Sequence, residues 1–269
     1  MKPLLHVLIL LSCGKAFCQG SVGTYDSEKF AFQVKQIDEF IDRFNNADHT
    51  LIKKYLDDRY DLQVSREDLV LSLFDINKLN STNKQKVANF IEDVVNGKEP
   101  PYLNFYDQDW YAKAKCLADY QGKDIIFDIV LAVKVNPEQE TVNWELKSLS
   151  IDDMGYSGDI SFTSLLPPSG HGTNFLELRR MFSSPGSYYD HSKSEENPIN
   201  QLLLMAEKGD FVFKGVREVS YHFLQLEHWI VEVKEYDRKE NNSGWLISNL
   251  LSASRDEKIR YLQKTLFIN

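Results

Sequence analysis

Apolar residues along this chain follow two spacings, and the switch between them separates helical from extended stretches. From Ser27 to Asn45, Phe30, Val34, Ile37, Phe40, Ile41 and Phe44 recur three and four apart. That period predicts one helix with a single apolar stripe, with Asp26, Glu28, Lys35, Asp38 and Asp42 on the remaining face. Asn45-Asn46-Ala47-Asp48 reads as its exit, and a shorter helical piece follows over 51–56. Ser65-Arg66-Glu67-Asp68 opens a third helix with Leu69, Val70, Leu73 and Phe74 inward. Thr82 and Gln85 have capping-box form ahead of Val87, Phe90, Ile91, Val94 and Val95, and Gly97 suits a C-terminal cap.

The period then becomes two. Trp110, Ala112, Ala114, Cys116 and Ala118 alternate with Tyr111, Lys113, Lys115 and Leu117. Ile125, Phe127, Ile129, Leu131 and Val133 form a second alternating run, and Val142, Trp144 and Leu146 start a third. Turn chemistry separates them at Tyr120-Gln121-Gly122-Lys123 and Asn136-Pro137-Glu138-Gln139. The pattern predicts an antiparallel three-stranded meander with one face on a core.

After a Gly-, Pro- and Ser-rich stretch at 152–172, the plan recurs. Asn174 with Glu177 caps a helix carrying Phe175, Leu178, Met181 and Phe182. Ser183–Glu196 reads as a polar loop. Asn197 then caps a second helix, with Pro198 first, Ile199, Leu202, Leu203 and Ala206 inward, and Gly209 ending it. Strand-like runs cover Phe211–Phe223, Trp229–Tyr236 and Trp245–Leu250, the last preceded by a turn at Asn241-Asn242-Ser243-Gly244. Ser254-Arg255-Asp256-Glu257 opens a final helix carrying Ile259, Leu262 and Leu266. The sequence thus reads as α+β: helices packed on antiparallel three- to four-stranded meander sheets in two similar units, 19–151 and 173–269, joined by 152–172. Sliding 109–144 onto 210–245 matches Asp109, Lys113, Tyr120, Ile129, Val130 and Trp144, with Lys98–Gln108 left over as an insertion.

Helices followed by a long antiparallel meander ending in Trp resemble the nuclear transport factor two-like and cystatin-like folds, over 27–151 and more weakly over 173–268. The whole chain also resembles secreted bacterial envelope proteins. The resemblance implies helices wrapped by one sheet in each unit. Such folds host isomerases, dehydratases, immunity proteins and binding modules, so the fold alone selects no activity.

The N-terminus supplies an address. Met1-Lys2 precedes an apolar run from Pro3 to Leu11, too short to span a bilayer, followed by small residues, which is the form of a secretory signal peptide over 1–18. Ala16-Phe17-Cys18 offers one cleavage site. Leu10-Leu11-Ser12-Cys13-Gly14 offers a lipobox after which Cys13 would carry a lipid. The expected location is the periplasm or the extracellular space, or alternatively the outer membrane through Cys13. No later segment is apolar enough for a transmembrane helix. The 269 residues carry 31 Lys+Arg and 40 Asp+Glu, a net charge of −9. Loss of Lys2 and Lys15 with the leader deepens it to −11. That balance argues against a nucleic acid partner, because little positive charge is available to displace phosphate counterions. Cleavage after Cys18 leaves Cys116 as the only thiol, so an internal disulfide cannot support the fold.

Candidate chemistry is sparse. His171 sits in the Gly/Pro-rich connection between Ser169 and Thr173, where a histidine beside free amides could hold an anion or act as a base. Asp190-His191 lies in the polar loop, and His222 and His228 fall near a strand turn, where cross-strand pairing is the simpler expectation. Asp107 and Asp109 stand among Phe105, Tyr106, Trp110 and Tyr111, a mixture that can bind sugars or cations or simply pack a strand start. Asp152, Asp153 and Asp159 lack calcium-loop spacing, and neither HExxH, GxSxG, GxGxxG nor a P-loop occurs. The sequence therefore predicts a non-catalytic exported binding protein with no cofactor and no metal, its partner an envelope protein or a small apolar or sugar ligand. The alternative is an isomerase- or hydrolase-like enzyme using a concave sheet pocket with His171, His191 or His222 as base.

Overall fold

The structure is a computed structural model, and it describes residues 31–75, 77, 81–136, 141–160, 176–188, 197–238 and 242–269. The class is α+β. The helices are α1 (Ile37–Phe44), α2 (Leu51–Tyr60), α3 (Arg66–Ser72), α4 (Ser81–Val94), α5 (Leu176–Ser183), α6 (Pro198–Lys208) and α7 (Arg255–Thr265). The strands are β1 (Trp110–Tyr120), β2 (Lys123–Asn136), β3 (Thr141–Ile151), β4 (Tyr156–Asp159), β5 (Phe211–Phe223), β6 (Trp229–Tyr236) and β7 (Gly244–Ser252). They form one sheet in the order β4-β3-β2-β1-β5-β6-β7.

The two expected meanders are thus strands of one sheet. β1 has β2 on one side and takes β5 on the other, antiparallel from Trp110↔Phe223 to Tyr120↔Phe211. An unpaired β1 edge would leave a row of open amides and carbonyls, and β5 satisfies them. Register shifts between Lys115/Cys116 and Leu117/Ala118 against β5, and between Val130/Leu131 against β3, mark bulges that add local twist. The stretch 152–172, expected as a connection only, contributes β4: Gly155 at φ 65° turns the chain back beside β3, and residues 161–172 lie outside the described part.

The compact units also divide on other boundaries than 19–151 and 173–269. One runs to Asn104 and includes Val231–Leu250, while the other comprises Phe105–Ile230 and Leu251–Asn269. In the second unit, the alternation read from the sequence holds: Trp110, Ala112, Ala114, Cys116 and Ala118 are all buried. The small side chains of Ala112, Ala114, Cys116 and Ala118 leave room for a layer of rings, in which Phe182 of α5 packs on Phe127, Phe211 and Phe213 at centroid distances of 6.3, 5.3 and 5.0 Å. Trp110 anchors the other end, stacked on Phe223 at 5.3 Å and donating Nε1–H to the Phe105 carbonyl at 3.1 Å. α6 starts and stops as its sequence dictates, with Asn197 Oδ1 accepting from the Ile199 amide and Gly209 at φ 82°.

In the first unit, the helix expected over 27–45 is broken. Residues 33–36 leave helical geometry and Val34 bridges Gly244 in parallel, its amide donating to the Ser243 carbonyl at 3.1 Å and its carbonyl accepting from Trp245 at 2.8 Å. Two sheet hydrogen bonds replace helical ones there, and fully buried Arg43 gathers the carbonyls at the break. The exit after α1 is as expected, with Asn46 at φ 62°. Ser65 and Asp68 form a reciprocal capping box on α3. α4 begins at Ser81, so Thr82 lies inside its first turn and not at its cap. Gly97 does not adopt the left-handed conformation of a helix cap; a Cβ there would meet the Asp93 carbonyl at 2.9 Å. The residues Lys98–Gln108 carry no helix or strand. Within the first unit that segment is held by Asn45, whose side chain mimics a strand neighbour: Nδ2 donates to the Leu103 carbonyl at 2.7 Å and Oδ1 accepts from its amide at 2.9 Å. Arg66 adds hydrogen bonds to the Phe44 and Pro101 carbonyls and stacks over the Tyr102 ring at 4.5 Å.

Candidate functional site

His222 is the described histidine placed most like a catalytic one. It lies on β5 opposite Tyr111 of β1 and two residues from Ser220, so both side chains share a face. Its Nε2 stands 2.8 Å from Ser220 Oγ and its Nδ1 2.7 Å from the Tyr261 hydroxyl of α7. Both ring nitrogens are engaged, and the residue is 2% exposed. A general base must come within reach of a substrate proton, and this ring, like Ser220, is enclosed by its own chain. His222 instead fastens β5 to α7.

α7 is capped by reciprocal hydrogen bonds between Ser254 and Glu257, as its sequence predicts. It docks through Tyr261 and Leu262, packed on Leu224, Ile230 and Ala253, and through polar contacts. Lys258 Nζ donates to the Leu224 and Leu226 carbonyls. Lys113 Nζ donates to the Thr265 carbonyl at 3.0 Å, pairs with Asp128 at 3.0 Å and lies 4.6 Å over the Phe267 ring. Ser148 donates to the Leu266 carbonyl. Ile259 is 46% exposed, while Lys258, Tyr261 and the C-terminal end of the helix fasten it. The sheet face that carries His222 is therefore occupied by a helix of the same chain.

The other sequence candidates do not converge. His228 is an exposed turn residue beside Glu227, and its carbonyl accepts from the Ala253 amide. Asp107 and Asp109 are exposed, and Asp109 adopts φ 63° so that its carbonyl can accept from Leu224 at 2.8 Å. Asp153 pairs with Lys123, and Asp159 accepts from the Asn269 amide. Cys13, Cys18, His171, Asp190, His191 and Asn174 lie outside the described residues. Among the described residues, no group of three or more His, Cys, Asp or Glu comes together to hold a metal ion, and no helix is long and apolar enough to cross a membrane.

Cys116 is fully buried at the centre of β1. Burial pushes its thiol far above the ordinary range, and the Asp128 charge adds to the effect. The thiolate is the reactive form, so the native thiol is expected to resist iodoacetamide at pH 8.5 and to react only on unfolding. Alkylation of Cys116 at the same rate in native buffer and in urea is the outcome that contradicts this burial. The sign for stability follows: the unfolded thiol ionises at moderately alkaline pH while the folded one does not, so stability falls as pH rises above the ordinary thiol range.

An open groove of about 460 Å³ lies in the first unit, along α2 and the turn after it. Asp48, His49, Lys53, Lys54 and Asp57 form its charged rim and Leu62 its apolar side. α2 sits here because Ile52 and Leu56 pack on Leu69, with Phe32, Tyr55 and Val64 around them. Asp61 in the left-handed region at φ 51° ends the helix, and the Leu62 amide returns to the Leu56 carbonyl at 3.3 Å. This turn leaves Leu62 43% exposed; Leu51 at 41% and Tyr60 at 52% are exposed on other sides of the same helix. Lys53 is tied to the Asn46 carbonyl and to Asp48, and His49 lies 2.9 Å from Asp42. The sequence pattern, which ends this helix at Leu56, does not reveal the site. The available signal is apolar residues at 51, 52, 55, 56, 60 and 62, spread round the helix and not confined to one stripe.

No protein-family model, curated protein or solved structure matches the chain.

Proposed function

We propose that this chain is an exported binding protein of the cell envelope, released after Cys18 or anchored through Cys13, whose partner docks on α2 and the turn that follows. The supporting observation is the exposure of Leu62 on a groove that Asp48, Lys53, Lys54 and Asp57 line with charge. A protein partner gains most of its binding energy from a few aromatic and apolar anchors set in a polar rim, and this segment offers both. The first unit has no need of these side chains inside, because Ile52 and Leu56 already fill its core from α2. The burial of His222 beneath Tyr261 keeps its ring from solvent-borne substrate, which favours binding over base catalysis in the second unit.

The test is affinity co-purification of C-terminally tagged, full-length protein from its native envelope, with high-salt washing, alongside a Leu62→Asp variant. The expected result is one stoichiometric partner retained by the wild type and held at least about tenfold more weakly by the variant, or about 1.4 kcal/mol. The melting temperature should stay unchanged, because Leu62 is exposed. Equal recovery with both chains, or no partner with either, overturns the reading.

A further inference from the structure

A second, smaller cavity in the first unit has a lining that fits a ligand of one charge type. It measures about 50 Å³ and lies among Phe74-Asp75, α4 and β7. Its polar groups include Asp75, Asn83 and Lys86, and Val87, Ile247 and Leu250 supply apolar walls. Asp75 is 2% exposed. One carboxylate oxygen, Oδ1, accepts from Arg238 Nη2 at 2.8 Å, while the other, Oδ2, is buried with no hydrogen-bond partner among the described residues. A buried carboxylate oxygen without a donor costs free energy comparable to the desolvation of the group, so a donor belongs there. The clamp around it is rigid: Arg238 also reaches the Asn242 carbonyl and side chain, and Asn242 Nδ2 donates to the Ser72 and Phe74 carbonyls at 3.3 and 3.0 Å.

Charge decides which donor. Arg238 already neutralises the carboxylate, and Lys86 stands at the same cavity, so the surroundings repel an ammonium or a metal cation. The open Oδ2 needs a hydrogen-bond donor, which a deprotonated anion does not offer. A neutral group that both donates and accepts suits the pair, giving its hydrogen to Asp75 and accepting from Lys86. Because liquid water occupies about 30 Å³ per molecule, the cavity takes a single hydroxyl or hydroxymethyl group with the rest of its molecule outside. We propose that this cavity seats one hydroxyl of a neutral carbohydrate, with Asp75 Oδ2 as acceptor, Lys86 as donor and the Val87, Ile247 and Leu250 side chains as apolar contact. The site is separate from the α2 groove, and its test does not depend on the outcome there.

The probe is saturation-transfer NMR on the full chain with glucose, galactose and N-acetylglucosamine, against methylammonium and acetate. The expected result is transfer to at least one sugar that falls at least about fivefold in Lys86→Met while the melting temperature holds. Asp75→Asn keeps the shape, turns an acceptor into a donor and should abolish the transfer. Because Asp75→Asn also weakens the Arg238 pair, Lys86→Met is the deciding variant should Asp75→Asn fail to fold. No transfer to any sugar, equal transfer to wild type and Lys86→Met, or preference for methylammonium or acetate overturns the proposal. So does a crystal structure grown in the sugar that shows water alone against Asp75 Oδ2.

Discussion

Arg43→Met is expected to destabilise the protein by about 3–5 kcal/mol, read as a lower urea midpoint. Arg43 has no exposed surface, yet it holds three carbonyls at the break before α1: Ala31 at 2.8 Å, Phe32 at 2.9 Å and Gln33 at 3.0 Å. Glu39 completes the pair at 2.6 Å, one helical turn away. Burial pushes the guanidinium pKa down, and the Glu39 charge partly offsets it. Methionine fills a similar volume but donates nothing, so one buried and two part-buried carbonyls and the Glu39 carboxylate lose this donor together. Arg43→Lys should recover only part of the loss, because one ammonium cannot present the planar fork that spans these acceptors. A midpoint shift worth less than about 1 kcal/mol for Arg43→Met would show that water takes over the carbonyls and that the pin is dispensable.

Gly244→Ala is the second large effect, roughly 3 kcal/mol from a single methyl group. Gly244 sits at φ 87°, a region that L side chains rarely adopt, and an added Cβ would fall 1.9 Å from the Val34 carbonyl oxygen and 2.6 Å from its carbon. Both are backbone atoms, so no rotamer change relieves the clash. Either β7 or the chain at Val34 must shift, with loss of the Val34–Ser243 and Trp245–Val34 hydrogen bonds. The same substitution at Gly122 is the control. It shares a positive φ of 83° but has no neighbour within 4 Å, so only the conformational strain remains, about 1 kcal/mol. Equal losses at the two sites would mean that the approach of Val34 contributes nothing.

Local structure in the sheet was legible because each strand declares itself within its own residues. The period of two in β1 and β2, the turn at Gln121-Gly122 and the caps at Asn197, Ser254 and Gly209 are short-range physics, and the bounds of β5 and β6 follow in the same way. The site was less legible. The α2 groove is local, lined by residues between Asp48 and Val64, but the pattern there carries no motif. The Asp75 cavity has none because it is assembled from residues distant in sequence: Asp75 meets Arg238, and Asn83 and Lys86 line the same cavity as Ile247. His222 shows the converse case. Its type and position on a strand made it a candidate base, and only the arrival of Tyr261 from α7 gave its second nitrogen a partner.

By itself, the sequence determined the α+β class, the extents of β5 and β6, the inward face of β1 and the acidic balance, since each depends on residue type and spacing along one segment. Tertiary structure alone decided the rest. It joined β1 to β5 and made one sheet of two meanders, because an open strand edge is satisfied by whichever chain segment reaches it. It broke the first helix at Val34, where hydrogen bonds to Ser243 and Trp245 replace helical ones that local periodicity favoured. It also buried Arg43, a residue that composition places at the surface, because three carbonyls freed by that break required a donor.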